Sequence, residues 1–356
     1  MTGAVIYWYG SPSRQSVTSV GQTVVDNILV PAASPSPRVE VEVVEPGTSA
    51  LLSIPVHYFQ TFNNCGPASL AMVLSYFDIN RTQQQLGNEL RPYQLASGDN
   101  DDKSVTLEEL AAKGEELGLV AYHRPVGDIE LLKTFLANGI PVLTRTWTKV
   151  DEDIGHYRVV KGFDESQGVI IQDDSLQGKN LSFSYSDFLL MWEKFSYEYV
   201  VLVEPNRVTV AEAILGEDVD RRVAWQKAVG EARDTLAVDP NNIYSRFNLS
   251  VALYYTGDLE GAIAEFERVE TSLPFRTLWY QIEPLLAYQE LGRYGELLPR
   301  IANILENGNR AYSELYQIRG EIYLDQGNME AARREFELAL VYNENFESAR
   351  EALENI

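Results

Sequence analysis

The sequence predicts two parts of different fold class: an α+β domain, in which helices precede an antiparallel sheet, and an all-α array of helical hairpins. Up to about residue 205, helix signals are followed by short runs of β-branched and aromatic residues. After Pro205 these runs stop, and a pattern recurs every 35 residues. With 356 residues, the chain is long enough for each part to have its own hydrophobic core.

Residues 1–50 predict an extended stalk with one strand at Val39–Val44, because the stretch is rich in Pro, Ser and Val. The apolar start, MTGAVIYWYGSPS, lacks a basic region and is not a complete signal peptide. Two interpretations remain, a frayed terminus or the outer end of a trimmed anchor. An anchored stalk favours an extracellular or outward-facing, membrane-anchored location over a cytoplasmic one.

Residues 51–205 predict a domain of helices followed by strands. Thr106 and Glu109 have the spacing of a helix start, and Gly118 is typical of a helix end. The predicted helices are Gly66–Phe77, Thr106–Leu117 and Asp128–Asn138. The predicted strands are IPVLTRTW, HYRVVKGF, GVIIQD and YEYVVLVEP. Helices before strands indicate the α+β class.

Residues 206–240 predict connecting helices, with one at about 219–236, and residues 241–356 predict three helical hairpins. The units align on turn glycines at Gly257, Gly292 and Gly327. The first and third units share small and aromatic positions: Ala262 and Phe266, and Ala332 and Phe336. This pattern resembles tetratricopeptide repeats, whose paired helices stack into a surface for partner proteins.

The middle repeat departs from this pattern. It has Leu297 and Ile301 where the other units have Ala and Phe. It also contains Pro284 and Pro299, which are expected to interrupt its helices.

The composition excludes several function classes. The formal net charge is −23 and there is no basic run, so binding to nucleic acid or to an anionic membrane is not expected. No sequence segment has the length of a membrane-spanning helix. Cys and His spacings fit no zinc site, and there is no glycine-rich phosphate loop, so we expect neither metal nor organic cofactor. The acidic stretch 97–104 lacks the full spacing of a calcium loop and predicts a solvated loop.

The only cysteine of the chain, Cys65, precedes Gly-Pro at the start of an apolar run. Pro67 suits the first turn of a helix, which places Cys65 at the helix N-terminus. The positive end of a helix stabilises a thiolate and lowers the pKa of a thiol. Cys65 is therefore either a small buried apolar residue or an activated nucleophile.

Other residue types that support thiol chemistry are present. Gln60 lies five residues before Cys65, where its amide could donate a hydrogen bond to an oxyanion. His156 begins a predicted strand, and the next strand, GVIIQDD, ends in carboxylates. A thiol, a strand-borne imidazole, an orienting carboxylate and an amide donor together predict a thiol–imidazole nucleophile. His57 is expected at the sheet edge and His123 at the surface.

These motifs resemble the papain-like double-glycine (bacteriocin-processing) cysteine peptidase family and its stand-alone relatives over residues 54–204. The motifs are Gln60, Asn64–Cys65–Gly66–Pro67–Ala68, Gly155–His156 and the strand-end Asp173. The resemblance implies Cys65 as nucleophile and His156 as general base and then acid. It further implies Asp173 as the residue that orients His156, and Gln60 as oxyanion donor beside the Cys65 backbone N–H.

Two departures from that family limit the resemblance. Its exporter members carry a membrane domain and an ATPase, whereas here helical repeats follow, so leader-peptide export is not carried over. The family has Asp-Pro at the strand end, whereas this chain has Asp173-Asp174. An ideal five-residue turn at 164–168 would put residue 174 on the His156 face, so Asp174 is the alternative orienting residue.

The sequence thus predicts a thiol-dependent peptidase that cleaves a peptide or protein through an acyl-enzyme, with repeats that recruit a partner or substrate. The alternatives are a non-catalytic peptide-binding scaffold with a papain-like fold, or an amidase or isopeptidase variant. If the repeats only recruit, a chain ending near Pro205 should fold alone and still react with a small thiol probe. The repeats are expected to bury their apolar faces mostly against each other, and docking through the helix near Trp225 would cost some stability on truncation.

Overall fold

The computed structural model describes residues 41–93, 105–307 and 309–356. Most of the predicted stalk and the acidic stretch 97–104 lie outside these ranges. The strand expected at Val39–Val44 is not present in its described part, and the first strand is instead β1, Ser49–Leu51. Residues from Glu42 to Ile356 form one compact unit. Within the described ranges, no helix is both long enough and apolar enough to span a bilayer.

Five helices belong to the first part of the chain. They are α1 (Cys65–Tyr76), α2 (Gln83–Leu90), α3 (Leu107–Glu116), α4 (Ile129–Ala137) and α5 (Tyr185–Trp192). At the start of α3, the Thr106 side chain accepts from the Glu109 N–H while the Glu109 carboxylate accepts from the Thr106 N–H. This capping box fixes the predicted helix start. The short helices α2 and α5 were not predicted.

A seven-stranded antiparallel sheet follows and confirms the predicted α+β class. The further strands are β2 (Val120–Arg124), β3 (Val142–Lys149), β4 (Glu152–Asp164), β5 (Val169–Asp174), β6 (Gly178–Ser184) and β7 (Tyr199–Val203). The strand order is β2-β7-β3-β4-β5-β6, with β1 paired to β4. The long strand β4 therefore lies in the centre of the sheet.

Helices cover both faces of this sheet. On one face, α1 and α3 pack on Tyr157 and Val159 of β4. On the other face, α4 and α5 pack on Val160 and Phe163 of the same strand. Up to Val160 this alternation follows from the two-residue period of a strand, and a β-bulge at Lys161 then places Phe163 on the same face as Val160. It positions the N-terminal end of α1 beside one end of β4.

Nine helices make up the rest of the described chain. They are α6 (Val208–Leu215), α7 (Arg221–Val238), α8 (Ile243–Thr256), α9 (Leu259–Glu267), α10 (Glu283–Glu290), α11 (Tyr294–Glu306), α12 (Ser313–Asp325), α13 (Met329–Tyr342) and α14 (Glu347–Glu354). Gly257, Gly292 and Gly327 join three successive helix pairs with φ of 88°, 67° and 75°. Glycine adopts this left-handed conformation without steric cost. The predicted helical repeats are confirmed.

The expected interruption of the middle repeat by proline is wrong. Pro284 lies in the first turn of α10, where its missing N–H is not needed. Helix α11 continues through Pro299. The middle repeat departs instead in the 15-residue connection 268–282 between α9 and α10, which leaves the array and contacts the sheet domain.

The sheet domain and the repeats share an extensive interface. Trp279 and Tyr280 of the connection are buried in an aromatic cluster with residues of the sheet domain: Trp147, Met191 and Phe195. The Asn248 side chain in α8 donates to the Glu193 carbonyl at 2.8 Å. The Trp225 ring lies 6.3 Å from that of His123. The interface is therefore wider than the expected docking through the helix near Trp225.

Candidate active site

Cys65 is the first residue of α1 and is buried. The preceding Asn64 has its side chain tied into the loop, where its amide donates to Thr61 Oγ1 at 2.8 Å. The next residue must be small, because a Cβ on Gly66 would lie 2.2 Å from the Val105 Cγ2. The Ser69 hydroxyl of the following turn donates to the Tyr157 carbonyl at 3.1 Å. These contacts fix the N-terminus of α1, and with it the thiol, against β4.

His156 on β4 contacts Asp174 at the end of β5. The His156 Nε2 and the Asp174 Oδ1 are 2.9 Å apart. Arg158 Nε donates to Asp174 Oδ2 at 2.9 Å, and two backbone N–H groups, of Leu176 and Gln177, donate to Oδ1. Burial alone would raise the pKa of Asp174, but the hydrogen bond and charge of His156, with Arg158, hold it well below its usual range. Asp174 is therefore ionised and held in a fixed position.

The thiol and the imidazole shift each other's pKa values. Burial would raise the pKa of Cys65, but the hydrogen bond and charge of His156 outweigh burial and lower it. Burial would likewise lower the pKa of His156, but hydrogen bonds with Asp174 and Cys65 raise it. Because Asp174 takes Nε2, the ring nitrogen left for Cys65 is Nδ1. The two opposite shifts favour a thiolate–imidazolium pair.

Arg91 is a second cation near the thiol, and no sequence motif marks it. It is buried, and its guanidinium donates to the Asn63 carbonyl and to Asn64 Oδ1 in the loop before Cys65. Burial lowers the pKa of Arg91 to about 10, against the attraction of the Cys65 charge. Arg91 is charged at neutral pH, and its charge helps to lower the pKa of Cys65.

The structure corrects the expectation that Asp173 is the carboxylate beside His156. Asp173 lies opposite Val159, and its carboxylate binds Lys161 Nζ at 2.8 Å and the Asn180 N–H at 2.8 Å. Asp174, the alternative, is the carboxylate that contacts the imidazole.

Gln60 is hydrogen-bonded to Ser175, the residue that follows Asp174 at the end of β5. Its backbone N–H donates to the Ser175 carbonyl at 2.7 Å, and its side-chain oxygen accepts from the Ser175 hydroxyl at 2.8 Å. Because the amide oxygen is used, the NH₂ group is the end left to donate elsewhere. His57, expected at the sheet edge, instead contacts the Asp174 carbonyl through Nε2 at 3.0 Å. The loop before α1 and the end of β5 are thus held together.

Comparison with known proteins identifies the family that part of this chain matches. Residues 52–200 match the model of the family described as Peptidase_C39 like. This segment is a C39-like domain. It is followed by the helical repeat region.

Three solved structures illustrate the similarity. A C39-like protein from Bacillus anthracis is 19% identical, covering 44% of this chain and 98% of its own, with a TM-score of 0.35. A double-glycine motif protease from an AMS/PCAT transporter, in complex with the leader peptide, is 20% identical, covering 45% and 96%, with a TM-score of 0.30. MamA is 17% identical, covering 40% and 79%, with a TM-score of 0.32. No curated protein matches this chain with significant similarity.

Another histidine of the C39-like domain differs from its expected position. His123, predicted at the surface, is buried and contacts Glu198 through Nε2 at 2.8 Å. Glu198 also binds Arg145, which reaches the repeat region. His123 therefore belongs to the interface between the two parts. In the described ranges, no group of three or more His, Cys, Asp or Glu side chains is arranged to hold a metal ion.

Proposed function

We propose that this chain is a cysteine peptidase, with Cys65 as nucleophile, His156 as general acid and base, and Asp174 as the residue that orients His156. The observation that carries the proposal is the 2.9 Å contact of His156 Nε2 with Asp174 Oδ1 beside a buried thiol. The pKa of this thiol is lowered by His156, and the pKa of the imidazole is raised. The match of residues 52–200 to a peptidase-like family supports it. The helical repeats are proposed to bind the protein partner or substrate, since stacked hairpins offer a long surface.

The reaction begins from the ion pair. The Cys65 thiolate attacks the carbonyl carbon of the scissile bond and forms a C–S bond, while the carbonyl π electrons move to oxygen. As the C–N bond breaks, the proton on His156 Nδ1 passes to the leaving amine, which gives a thioester and a neutral imidazole. His156 then removes a proton from water, which attacks the thioester. The C–S bond breaks, and the ion pair is restored.

The oxyanion formed in each step needs hydrogen-bond donors. The Cys65 backbone N–H is one candidate, because Cys65 begins α1 and the first N–H groups of a helix have no partner within it. The Gln60 NH₂ group is the second, because Ser175 fixes the other end of that amide. Removal of one such donor costs about 10²–10³ in rate in well-studied enzymes. We expect a loss of this order for Gln60→Ala.

The proposal is tested by alkylation of Cys65 with iodoacetamide across pH. Only the thiolate reacts, so the lowered pKa predicts an inflection below 9.0, the usual value for this group. In His156→Ala the inflection should move to higher pH. Burial raises the pKa of Cys65, and this variant lacks the hydrogen bond and charge of His156 that lower it. An inflection that is the same in native protein, in His156→Ala and in urea-unfolded chain would contradict an activated thiol.

Cleavage is tested separately with a mixed peptide library and the full chain, using Cys65→Ser as the matched control. Products that form with the native chain and not with Cys65→Ser support the peptidase. An activated thiol without Cys65-dependent products would instead favour the peptide-binding scaffold.

A further inference from the structure

The thiol and imidazole are almost completely covered. Cys65 is 5% exposed and His156 is 2% exposed. A scissile carbonyl must reach the thiol at van der Waals distance, with chain on both sides of it. A peptide cannot do this while both groups are covered. Part of the molecule that lies over them must therefore move before a substrate binds.

A residue of the repeat region packs on the backbone next to His156. The Tyr280 hydroxyl donates to the carbonyl of Gly155, the residue before His156, at 3.1 Å. The Tyr280 ring packs directly on that glycine, because a Cβ on Gly155 would lie 2.5 Å from the ring. Burial and the nearby Cys65 charge both raise the pKa of Tyr280, which is consistent with a position close to the thiol.

Two polar anchors hold this part of the connection. Arg145 donates to the Tyr280 carbonyl at 2.9 Å, and Gln281 Nε2 donates to Glu198 Oε1 at 2.6 Å. Arg145 and Glu198 are themselves paired at 3.2 Å in the C39-like domain. Trp279 and Tyr280 add apolar contacts with Trp147. The connection is thus attached by a few specific groups.

The Gly155 carbonyl lies where a substrate could compete with Tyr280. The pairing of β4 with β5 begins at Arg158 and Asp174, so this ladder does not extend to Gly155. A substrate backbone N–H that bonds to the Gly155 carbonyl would replace one hydrogen bond by another. Such an exchange has a small net free-energy change. The loss of this one hydrogen bond therefore adds little to the free-energy cost of opening, which comes mainly from the apolar contacts and the anchors of the connection.

We propose that residues 275–281 are an inhibitory cover, in which Tyr280 occupies the approach to Cys65 and must be displaced before a substrate binds. The inference rests on the proposed peptidase function and adds its regulation. The repeat region then has a direct effect on the active site, because the cover is the connection between its helices α9 and α10. A partner that shifts these helices would uncover the thiol.

The test compares two thiol reagents on the full chain, small iodoacetamide and a bulky peptidyl vinyl sulfone. In Tyr280→Ala we expect the bulky reagent to label Cys65 at least about tenfold faster than in the native chain, with a smaller change for iodoacetamide. Tyr280→Phe, which loses only the bond to Gly155, should show a smaller increase. The matched controls are Tyr294→Ala and Tyr294→Phe, since that hydroxyl bonds to Asp325 inside the repeats, and they should label at the native rates.

The possible outcomes distinguish three cases: Tyr280 covers the thiol, Tyr280 positions His156, or the proposed peptidase function is wrong. The cover is wrong if Cys65 of folded Tyr280→Ala and Tyr280→Phe reacts with the bulky reagent at the native rate or more slowly. A slower rate in Tyr280→Phe would indicate that Tyr280 positions His156. If Tyr280→Ala has a lowered melting temperature and is partly unfolded, Gln281→Leu decides, because it removes the Glu198 anchor and leaves Tyr280. That variant should also label faster, and an unchanged rate overturns the cover. A thiol that is no more reactive toward iodoacetamide than unfolded chain in folded Tyr280→Ala and Gln281→Leu, as well as in the native chain, would instead contradict the proposed function.

Discussion

At the scale of single residues, Asp173 and Asp174 show how neighbours of the same type come to differ. Their side chains lie on opposite faces of β5, where Asp173 binds Lys161 and Asp174 binds His156 and Arg158. All five of these side chains are buried. Each carboxylate is therefore needed for charge balance, and only one of them contacts the imidazole.

A matched pair of variants tests this assignment. Asp174→Asn should reduce peptide hydrolysis on the order of 10³-fold, because an amide cannot stabilise the imidazolium as a carboxylate does. Asp173→Asn should leave the rate per folded molecule unchanged, because its carboxylate has no bond to His156. Both should lower the melting temperature, since each leaves a buried cation without its full partner. Rates are measured on protein whose folded fraction is known from circular dichroism. An equal loss of rate in the two variants would contradict the assignment.

Residue type and spacing were enough to name Cys65, His156 and Gln60 as candidates, since each stands in a short motif at the start or end of an element. Residue type and spacing did not identify Arg91. It follows α2 and is held near the thiol by its hydrogen bond to Asn64 in the loop before Cys65. No motif marks it, because its contact with the Asn63 carbonyl depends on tertiary structure.

At the scale of elements, the β4–β5 hairpin decides which Asp faces His156. Its loop is 165–168, one residue shorter than expected, because Asp164 pairs with Val169. Regular pairing from there would place Asp173 opposite Val160, on the His156 face. A β-bulge at Lys161 shifts the register by one residue, so that Asp174 lies opposite Arg158. The hairpin was predictable from its turn residues, but the bulge, at which the buried Lys161 pairs with Asp173, was not.

Helix prediction succeeded where the apolar run was long, with a side-chain cap in α3 and α4 and without one in α1. The N-cap residues of α3 and α4, Thr106 and Asp128, are those predicted. Helices α2 and α5 have only 8 residues each, and α2 is mainly polar, although it has a capping box at Thr82. Short helices depend on tertiary packing more than on local preference.

The start of α1 allows an element-scale prediction. Gly66→Ala would place a Cβ 2.2 Å from Val105 Cγ2, and such overpacking costs about 1–3 kcal/mol. We expect a lower melting temperature and slower alkylation of Cys65, because the first turn of α1 must move. The double variant Gly66→Ala with Val105→Ala should recover part of the melting temperature and part of the alkylation rate. The matched control is Gly230→Ala in α7, where no atom lies within 4 Å of the new Cβ, and this change should stabilise by about 0.5–1 kcal/mol. Native alkylation in Gly66→Ala would show that the thiol does not depend on this contact.

At the scale of the whole molecule, the middle repeat has the largest departure from the repeat pattern and also makes the closest contact with the site. The sequence shows the departure as lost consensus residues, Leu297 and Ile301. It does not show that the connection 268–282 carries Trp279 and Tyr280 into the C39-like domain. Periodicity reveals the repeats themselves, whereas a contact between distant parts of a chain leaves no period.

Because of this interface, we expect the C39-like domain to depend on the repeats for its stability, whereas the sequence predicted that a chain ending near Pro205 would fold alone. A chain ending at Pro205 would expose Trp147, Met191 and Phe195, and it would remove the Tyr280 and Gln281 partners of Arg145 and Glu198. Buried charges and apolar side chains left without partners are strongly destabilising. We therefore expect this fragment to lose cooperative thermal unfolding.

The matched control keeps every residue and breaks only the chain. A protease site inserted between β7 and α6 allows the full protein to be cut after folding, and we expect the two pieces to co-elute and to unfold near the native temperature. The intact interface then replaces the lost covalent link, and Cys65 should keep its native alkylation rate. If the separate fragment instead unfolds cooperatively at the temperature of the cut complex, the repeats contribute no stability to the C39-like domain. The interface through Arg145 and Tyr280 would then be only a docking contact.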